Sequence, residues 1–224
     1  MAVGAPPIQI QKKKGSGCFG CGCTILSILV LLFVGLVVAG SYVGYHQAVA
    51  LTNTAAKPVP QSDTADAVYP AAQQKISQFE DAFENRQSAV LRLNSDEINA
   101  LIARDPRFTQ MSGHFHVALQ GSAATLQFDA PLGSYETYVM PDRFVNGNVN
   151  FGASIDPDTH SLAFDIHSMQ IKDQPVPPSY AEAMNQLVNQ TVNQQLQANQ
   201  IARDFLARVS KIDIEDGELV LEIK

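Results

Sequence analysis

The chain has 224 residues, 46% of them hydrophobic, and its charges are unevenly distributed. Residues 1–46 carry three lysines and no acidic residue, whereas residues 47–224 carry 12 of the 15 basic and all 22 acidic residues. The second segment is therefore acidic, with a net charge of −10. Binding to nucleic acid requires clustered Lys and Arg side chains, so nucleic acid is excluded as a predicted partner.

The first predicted element is a transmembrane helix over residues 24–45. This run of 22 residues contains no charged side chain, and at about 1.5 Å per residue it spans a hydrocarbon layer of roughly 30 Å. Lys12, Lys13 and Lys14 precede the run and no basic residue follows before Lys57, so the positive-inside rule places the N-terminus in the cytoplasm. We therefore expect a cytoplasmic tail at 1–23 and a single-pass cell-membrane protein whose C-terminal domain is extracytoplasmic, or periplasmic in a Gram-negative cell.

A cleaved signal peptide is the competing interpretation of this segment. Residues 48–50 read Ala-Val-Ala and fit an Ala-x-Ala cleavage site. The apolar run is longer than the usual 7 to 15 residues of a signal peptide, and this favours an uncleaved anchor. Both interpretations place the domain on the same side of the membrane.

Two smaller features accompany the predicted anchor. Gly40 and Gly44 form a small-xxx-small pair, which is typical of transmembrane helices that approach each other closely and makes a homodimer possible. Cys18, Cys21 and Cys23 lie just before the helix. They have no fourth ligand nearby for a structural zinc site, so acylation, metal binding and simple packing at the headgroup boundary all stay open.

A linker is predicted over 46–66 and one folded domain over 67–224. The domain begins with a helix over about 67–89, because apolar residues recur there at helical spacing. A short strand at 91–93 leads into a second helix, for which Asn94 is the expected N-cap and Glu97 the capping-box partner. That helix is expected to end before Asp105 and Pro106.

The rest of the domain alternates between strands and one long helix. Four strands are predicted near 115–119, 125–130, 144–155 and 161–171, followed by a long amphipathic helix over about 179–209. Asp216 and Gly217 then form the turn of a closing hairpin. Strands joined by short turns favour an antiparallel sheet, so the predicted class is α+β, with the sheet packed against the long helix.

The long helix carries ten Asn and Gln residues between Asn185 and Gln200. Uncharged amides can lie against a carbohydrate or a protein partner, or pack on the rim of a sheet. A solvated face of this composition is the simplest alternative.

Catalytic motifs are missing from the sequence, and no cofactor is predicted. Neither a phosphate loop, a dinucleotide fingerprint, a nucleophile elbow nor a His-Glu-x-x-His motif is present. The one arrangement with metal-binding potential is His114 and His116, which point to the same side of a strand. A third ligand would have to come from His160, His167 or an aspartate.

The run from Leu91 to Ile102, LRLNSDEINALI, resembles the start of the domain in the YpmS-like and LmeA-like groups of bacterial membrane-anchored proteins, and IEDGELVL near the C-terminus resembles their final hairpin. The resemblance covers about 30 residues. It implies a cytoplasmic-membrane anchor and an extracytoplasmic module that handles lipids, without catalytic residues.

Three functions follow as expectations. The first is a non-enzymatic module that binds a lipid, another amphiphile or an envelope partner beside the membrane. The second is a structural or assembly protein of the cell envelope that acts by oligomerisation through Gly40, Gly44 and the amide-rich helix. The third is a metal-dependent hydrolase that uses His114 and His116.

Overall fold

The computed structural model describes residues 52–61, 65–109, 111–132, 143–156 and 158–224. The predicted tail, the anchor at 24–45 with Gly40 and Gly44, the three cysteines and the possible cleavage site at 48–50 all lie outside these residues. Within the described ranges, no helix is both long enough and apolar enough to span a membrane.

The described chain folds into helices and antiparallel strands, as the α+β prediction required. The helices are α1 (Ala65–Glu84), α2 (Ser95–Arg104), α3 (Pro178–Ala198) and α4 (Gln200–Leu206), with one 3-10 turn at Pro106–Phe108. The strands are β1 (Ala89–Asn94), β2 (Phe115–Gln120), β3 (Ala123–Pro131), β4 (Phe144–Ile155), β5 (Leu162–Ile171), β6 (Gln174–Pro175), β7 (Val209–Glu215) and β8 (Glu218–Ile223).

The strands form two antiparallel sheets rather than one. Strands β2 to β6 follow chain order in a five-stranded sheet, whereas the smaller sheet has the order β1-β8-β7. In the smaller sheet Leu91 lies opposite Leu221 and Leu93 opposite Leu219. Local sequence patterns predict each of these strands, but they carry no information on a pairing between residues about 130 positions apart.

Helix α2 begins as the sequence predicts. The Asn94 side chain accepts a hydrogen bond from the Glu97 backbone N–H at 2.9 Å, and the Glu97 carboxylate accepts one from the Asn94 N–H at 3.0 Å. Glu97 is also paired with Lys75 Nζ at 2.6 Å. The predicted capping box is therefore confirmed, and the helix ends at Arg104 as expected.

Two predicted helices are shorter than their apolar patterns suggested. Helix α1 ends at Glu84, and Arg86 beyond it adopts a left-handed conformation with φ of 56°. The predicted helix over 179–209 is two helices, because Asn199 is extended and its side chain caps the N-terminus of α4. Asparagine favours this role since its side-chain oxygen accepts from backbone N–H groups, here those of Ile201 and Ala202.

Residues 52–61, within the predicted linker, lie against the five-stranded sheet. Asn53 and Phe144 exchange two backbone hydrogen bonds of 2.8 Å, and Thr52 is only 1% exposed. Val59 is also buried. We call residues 52–61 the strap. They follow the predicted anchor in sequence and lie against the sheet.

Candidate functional site

An apolar cavity of about 100 Å³ lies on one face of the five-stranded sheet. Fourteen side chains line it, and nine of them come from β2, β3, β4 and β5. Val117 lies opposite Leu126, and Leu126 opposite Val149, so the lining residues stand in rows across the strands. Since successive side chains of a strand point to opposite faces, the alternating pattern of these strands places the whole set on one face.

Helices and the terminal hairpin cover this face. Ile98 contributes from α2, Val188 and Val192 from α3, and Ile214 and Leu219 from the hairpin of β7 and β8. The hairpin turn is fixed to the turn between β2 and β3 by a 3.0 Å hydrogen bond between backbone groups of residues 217 and 121. The cavity therefore lies where four separate segments meet, and they leave part of the space unfilled.

Hydrophobic side chains alone line this cavity, among the residues the structure describes. A water molecule in such a space lacks the polar partners that it needs, so a cavity of this kind stays dry and takes apolar groups instead. Engineered cavities of roughly 150 Å³ with similar linings bind benzene. The chemistry that the site offers is hydrophobic contact, without a charged or hydrogen-bonding group to recognise a polar head.

Three asparagines of α3 close the free edge of β5 beside the cavity. Asn193 accepts from the Leu162 N–H at 2.9 Å and donates to the Leu162 carbonyl at 2.8 Å. Asn189 makes the same pair of bonds to Phe164, at 2.7 and 2.9 Å, and Asn185 accepts from the Ile166 N–H at 3.1 Å. We call these three residues the asparagine ladder.

The spacing of the ladder follows from the two backbone geometries. Residues four apart on a helix rise about 6 Å, and alternate residues on a strand rise about 6.6 Å. Every fourth helix position therefore meets every second strand position at three successive asparagines. Of the alternatives for the ten amides, packing on the rim of a sheet describes these three, whereas Gln186, Gln190, Gln194, Gln195 and Gln197 are exposed.

The opposite edge of the sheet, at β2, is closed in the same way by α2. Asn99 donates to the Val117 carbonyl at 2.7 Å and accepts from the Val117 N–H at 2.8 Å. Ser95, four residues earlier, accepts from the Leu119 N–H at 2.7 Å. Both edges of the sheet thus have backbone groups paired with helix side chains, and both helices also contribute to the cavity wall.

His114 and His116, the predicted metal candidates, lie at the start of β2 and away from the cavity. His116 projects from the outer face of the sheet, since Val117 lines the inner one. Burial lowers the pKa of His116, while the backbone of Pro60 and the charge of Asp96 act against that shift. The Nδ1 atom of His114 is buried without a hydrogen-bond partner among the described residues.

The histidines proposed as third ligands are far from this pair. His167 lies on β5, three strands from β2, which at about 4.8 Å per strand is a separation of roughly 14 Å. His167 instead contacts Asn150 at 3.0 Å and Asp165 at 3.4 Å. His160 lies in the turn between β4 and β5. No group of three His, Cys, Asp or Glu side chains suited to a metal occurs in the described ranges.

A buried polar pair holds the strap near His114. Asp129 is 2% exposed, and burial raises its pKa while the backbone of Lys57 and the charge of His114 act in the opposite direction. The side-chain amide of Asn146 donates to Asp129 at 3.1 Å and accepts from the Lys57 N–H at 3.1 Å. These hydrogen bonds connect the strap to β3 and β4.

The sequence shows the alternation that forms the inner face, but it contains no signal for the cavity. A void arises only from how α2, α3 and the hairpin meet over that face, and their contacts are far apart in sequence.

Comparisons of the chain with protein-family models, with curated proteins and with solved structures found no match.

Proposed function

We propose that the chain is a membrane-anchored, extracytoplasmic and non-enzymatic module that binds the apolar part of a lipid or another amphiphile. The observation that carries this proposal is the cavity on the inner face of the sheet, with its wholly apolar lining. Burying a methylene group from water contributes about 0.8 kcal/mol, so even a few such groups give useful affinity. An amphiphile leaves its polar head outside, where no specific recognition is needed.

The size of the cavity limits what enters it. A volume of about 100 Å³ is smaller than the benzene-binding cavities above, so it takes the end of one hydrocarbon chain. A longer insertion requires one wall to move. Helix α3 is the wall best suited to that movement, because the half-buried asparagine ladder connects it to the sheet and Asn199 interrupts the helix beyond it.

The predicted anchor supports the same proposal. Seven residue steps separate Tyr45, at its outer end, from Thr52 on the sheet, and an extended chain of that length spans at most about 25 Å. The sheet end near Phe144 would therefore stay beside the bilayer. A domain tethered at that distance meets membrane lipids at high local concentration.

Photolabelling of the full chain in nanodiscs tests this function. A fatty acid with a diazirine near its methyl end should label peptides that line the cavity, such as those containing Ala153 or Val188. Ala153→Leu adds three carbon atoms inside the cavity and should lower labelling at least tenfold. Ala163→Leu is the matched control, since Ala163 is exposed and lies one position from Phe164, which lines the cavity.

Two outcomes would contradict the proposal. One is an absence of labelling at any lining residue in the unmodified chain, with no lipid recovered by mass spectrometry from the purified protein. The other is equal labelling of the parent and Ala153→Leu at unchanged thermal stability. Filling a dry cavity should not lower stability by more than about 3 kcal/mol, so unfolding can be recognised separately.

A further inference from the structure

The face of α3 that points away from the sheet carries two rows of exposed residues, and the members of each row are seven positions apart. Its first set of positions is Tyr180, Leu187 and Gln194, and its second set is Ala183, Gln190 and Gln197. All six residues are exposed, including Tyr180 at 59% and Leu187 at 40%. We call these six residues the outer stripe. Residues three, four and seven positions apart lie on one side of a helix, so these six form a continuous strip.

Charge sets the outer stripe apart from the rest of the domain. Residues 47–224 have a net charge of −10, yet Glu182 is the only charged residue among the 21 of α3. Two copies of an acidic domain repel each other over most of their surfaces. A helix about 31 Å long with one charged residue is a surface on which that repulsion is small.

The chemistry of the outer stripe is also self-complementary. A glutamine amide both donates and accepts hydrogen bonds, so it can pair with the same residue of another copy. A two-fold interface uses the same surface on both copies, and this is the pairing that such side chains permit. Tyr180 and Leu187 add exposed hydrophobic area at one end of the stripe. The stripe contains no charged side chain that would attract a basic or an acidic partner.

We propose that two copies of this chain pair in the membrane through the outer stripe of α3. The asparagine ladder holds the opposite side of the helix on β5, so the stripe is a preformed surface. Chains anchored in one bilayer meet at raised local concentration, which lets a small helix pair suffice. This pairing does not depend on ligand binding, because the outer stripe and the cavity lie on different sides of α3.

Cysteine crosslinking of the full chain in membranes tests the pairing. Cys18, Cys21 and Cys23 are first replaced by serine, which leaves no other cysteine in the chain. Single cysteines are then introduced at residues 183, 187, 190 and 194 and oxidised with copper phenanthroline. A two-fold axis across the stripe brings at least one of these positions close to itself, so we expect a dimer from that position at five times the control level or more.

Ser154→Cys is the matched control, since Ser154 is exposed on the outer face of the sheet. Crosslinking from the stripe that does not exceed this control would overturn the proposal. A crosslinked species of the wrong mass for a dimer would overturn it too, because a different protein would then occupy the stripe.

A second variant separates the outer stripe from the predicted anchor as the source of a dimer. Gln190→Glu puts like charges at the seam and should reduce the crosslinked fraction at least fivefold, whereas Ser168→Glu on the outer sheet face should not. Crosslinking that survives Gln190→Glu unchanged would count against the interface. Circular dichroism of both variants shows whether the domain stays folded.

Discussion

Helix side chains cover both the β2 edge of the five-stranded sheet and the part of β5 that the two-residue strand β6 leaves unpaired. At β2, Asn99 and Ser95 of α2 pair with backbone groups of Val117 and Leu119. At β5, the asparagine ladder of α3 pairs with alternate residues of that strand. In both cases the helix runs antiparallel to the strand, and side chains four residues apart replace a neighbouring strand.

The settings differ in how much water reaches the edge. Asn99 is 5% exposed, and residues 97–102 around it are all buried. The three ladder asparagines are only half-buried, and the outer side of α3 is exposed along its length. An unpaired backbone group costs most where water cannot replace the lost partner.

Hydrogen bonds of the same type are therefore expected to contribute differently to stability at the two edges. At β2 they are part of the core and hold the sheet together. At β5 the asparagine side chains are half-exposed, so we expect water to replace part of a lost bond there. Edge protection also prevents the free strands from pairing with another chain.

The largest expected effect comes from the β2 edge. Asn99→Leu keeps the size of the side chain but leaves the half-buried Val117 N–H and carbonyl without their partner, beneath a helix segment that is itself buried. We expect a loss of about 2–4 kcal/mol, which lowers the Tm by roughly 4–16 °C, as measured by circular dichroism of the full chain in detergent. If Asn99→Leu lowers the free energy of unfolding by no more than the β5 variant described next, the two edges do not differ in this way.

A smaller effect is expected at the β5 edge. Asn189→Leu removes the middle of the ladder and should cost about 1 kcal/mol, since Asn189 is half-buried and water can approach from its side of the helix. Hydrogen exchange of the Phe164 amide should become faster while exchange in β2 stays unchanged. Gln186→Leu, at an exposed position of α3 outside the outer stripe, is the control and should stay within about 0.5 kcal/mol. Equal exchange rates at β2 and β5 would contradict local opening.

The smallest effect concerns pH at the β2 edge. Burial lowers the pKa of His116, so the unfolded chain binds a proton more tightly than the folded chain does. The contribution of neutral His116 to the free energy of unfolding is fully present above the unfolded pKa of about 6.5. It is lost as the pH falls towards the folded pKa. His116→Gln should reduce this loss between pH 7 and pH 5 in thermal melts. The same pH dependence in the parent and the variant would show that other groups cause it.

Local chemistry in the sequence determines much of the element list. The capping box of Asn94 and Glu97, the strand β4 over 144–155 and the turn at Asp216 and Gly217 each depend on neighbouring residues, and each is found where it is predicted. Asn199 is the exception, because its extended backbone divides a pattern that reads as one helix. Periodicity cannot show such a break, since the apolar stripe continues into α4.

The sequence alone also shows the charge asymmetry. An uncharged run at 24–45 precedes a segment that is acidic. These features predict an anchor, and a partner other than nucleic acid, before any fold is known. The single charged residue of α3 is likewise visible in the sequence, although the exposure of the outer stripe is not.

Only the tertiary structure decided which surfaces meet. The pairing of β1 with β8, the contact of the strap with the sheet, the two helix-closed edges and the cavity all join segments distant in sequence. Such contacts depend on the simultaneous packing of several elements, whereas a local pattern reports only the face that one element will bury. For that reason the amides of α3 read as one uniform face in the sequence, and the fold divides them into a ladder that holds β5 and a stripe that stays exposed.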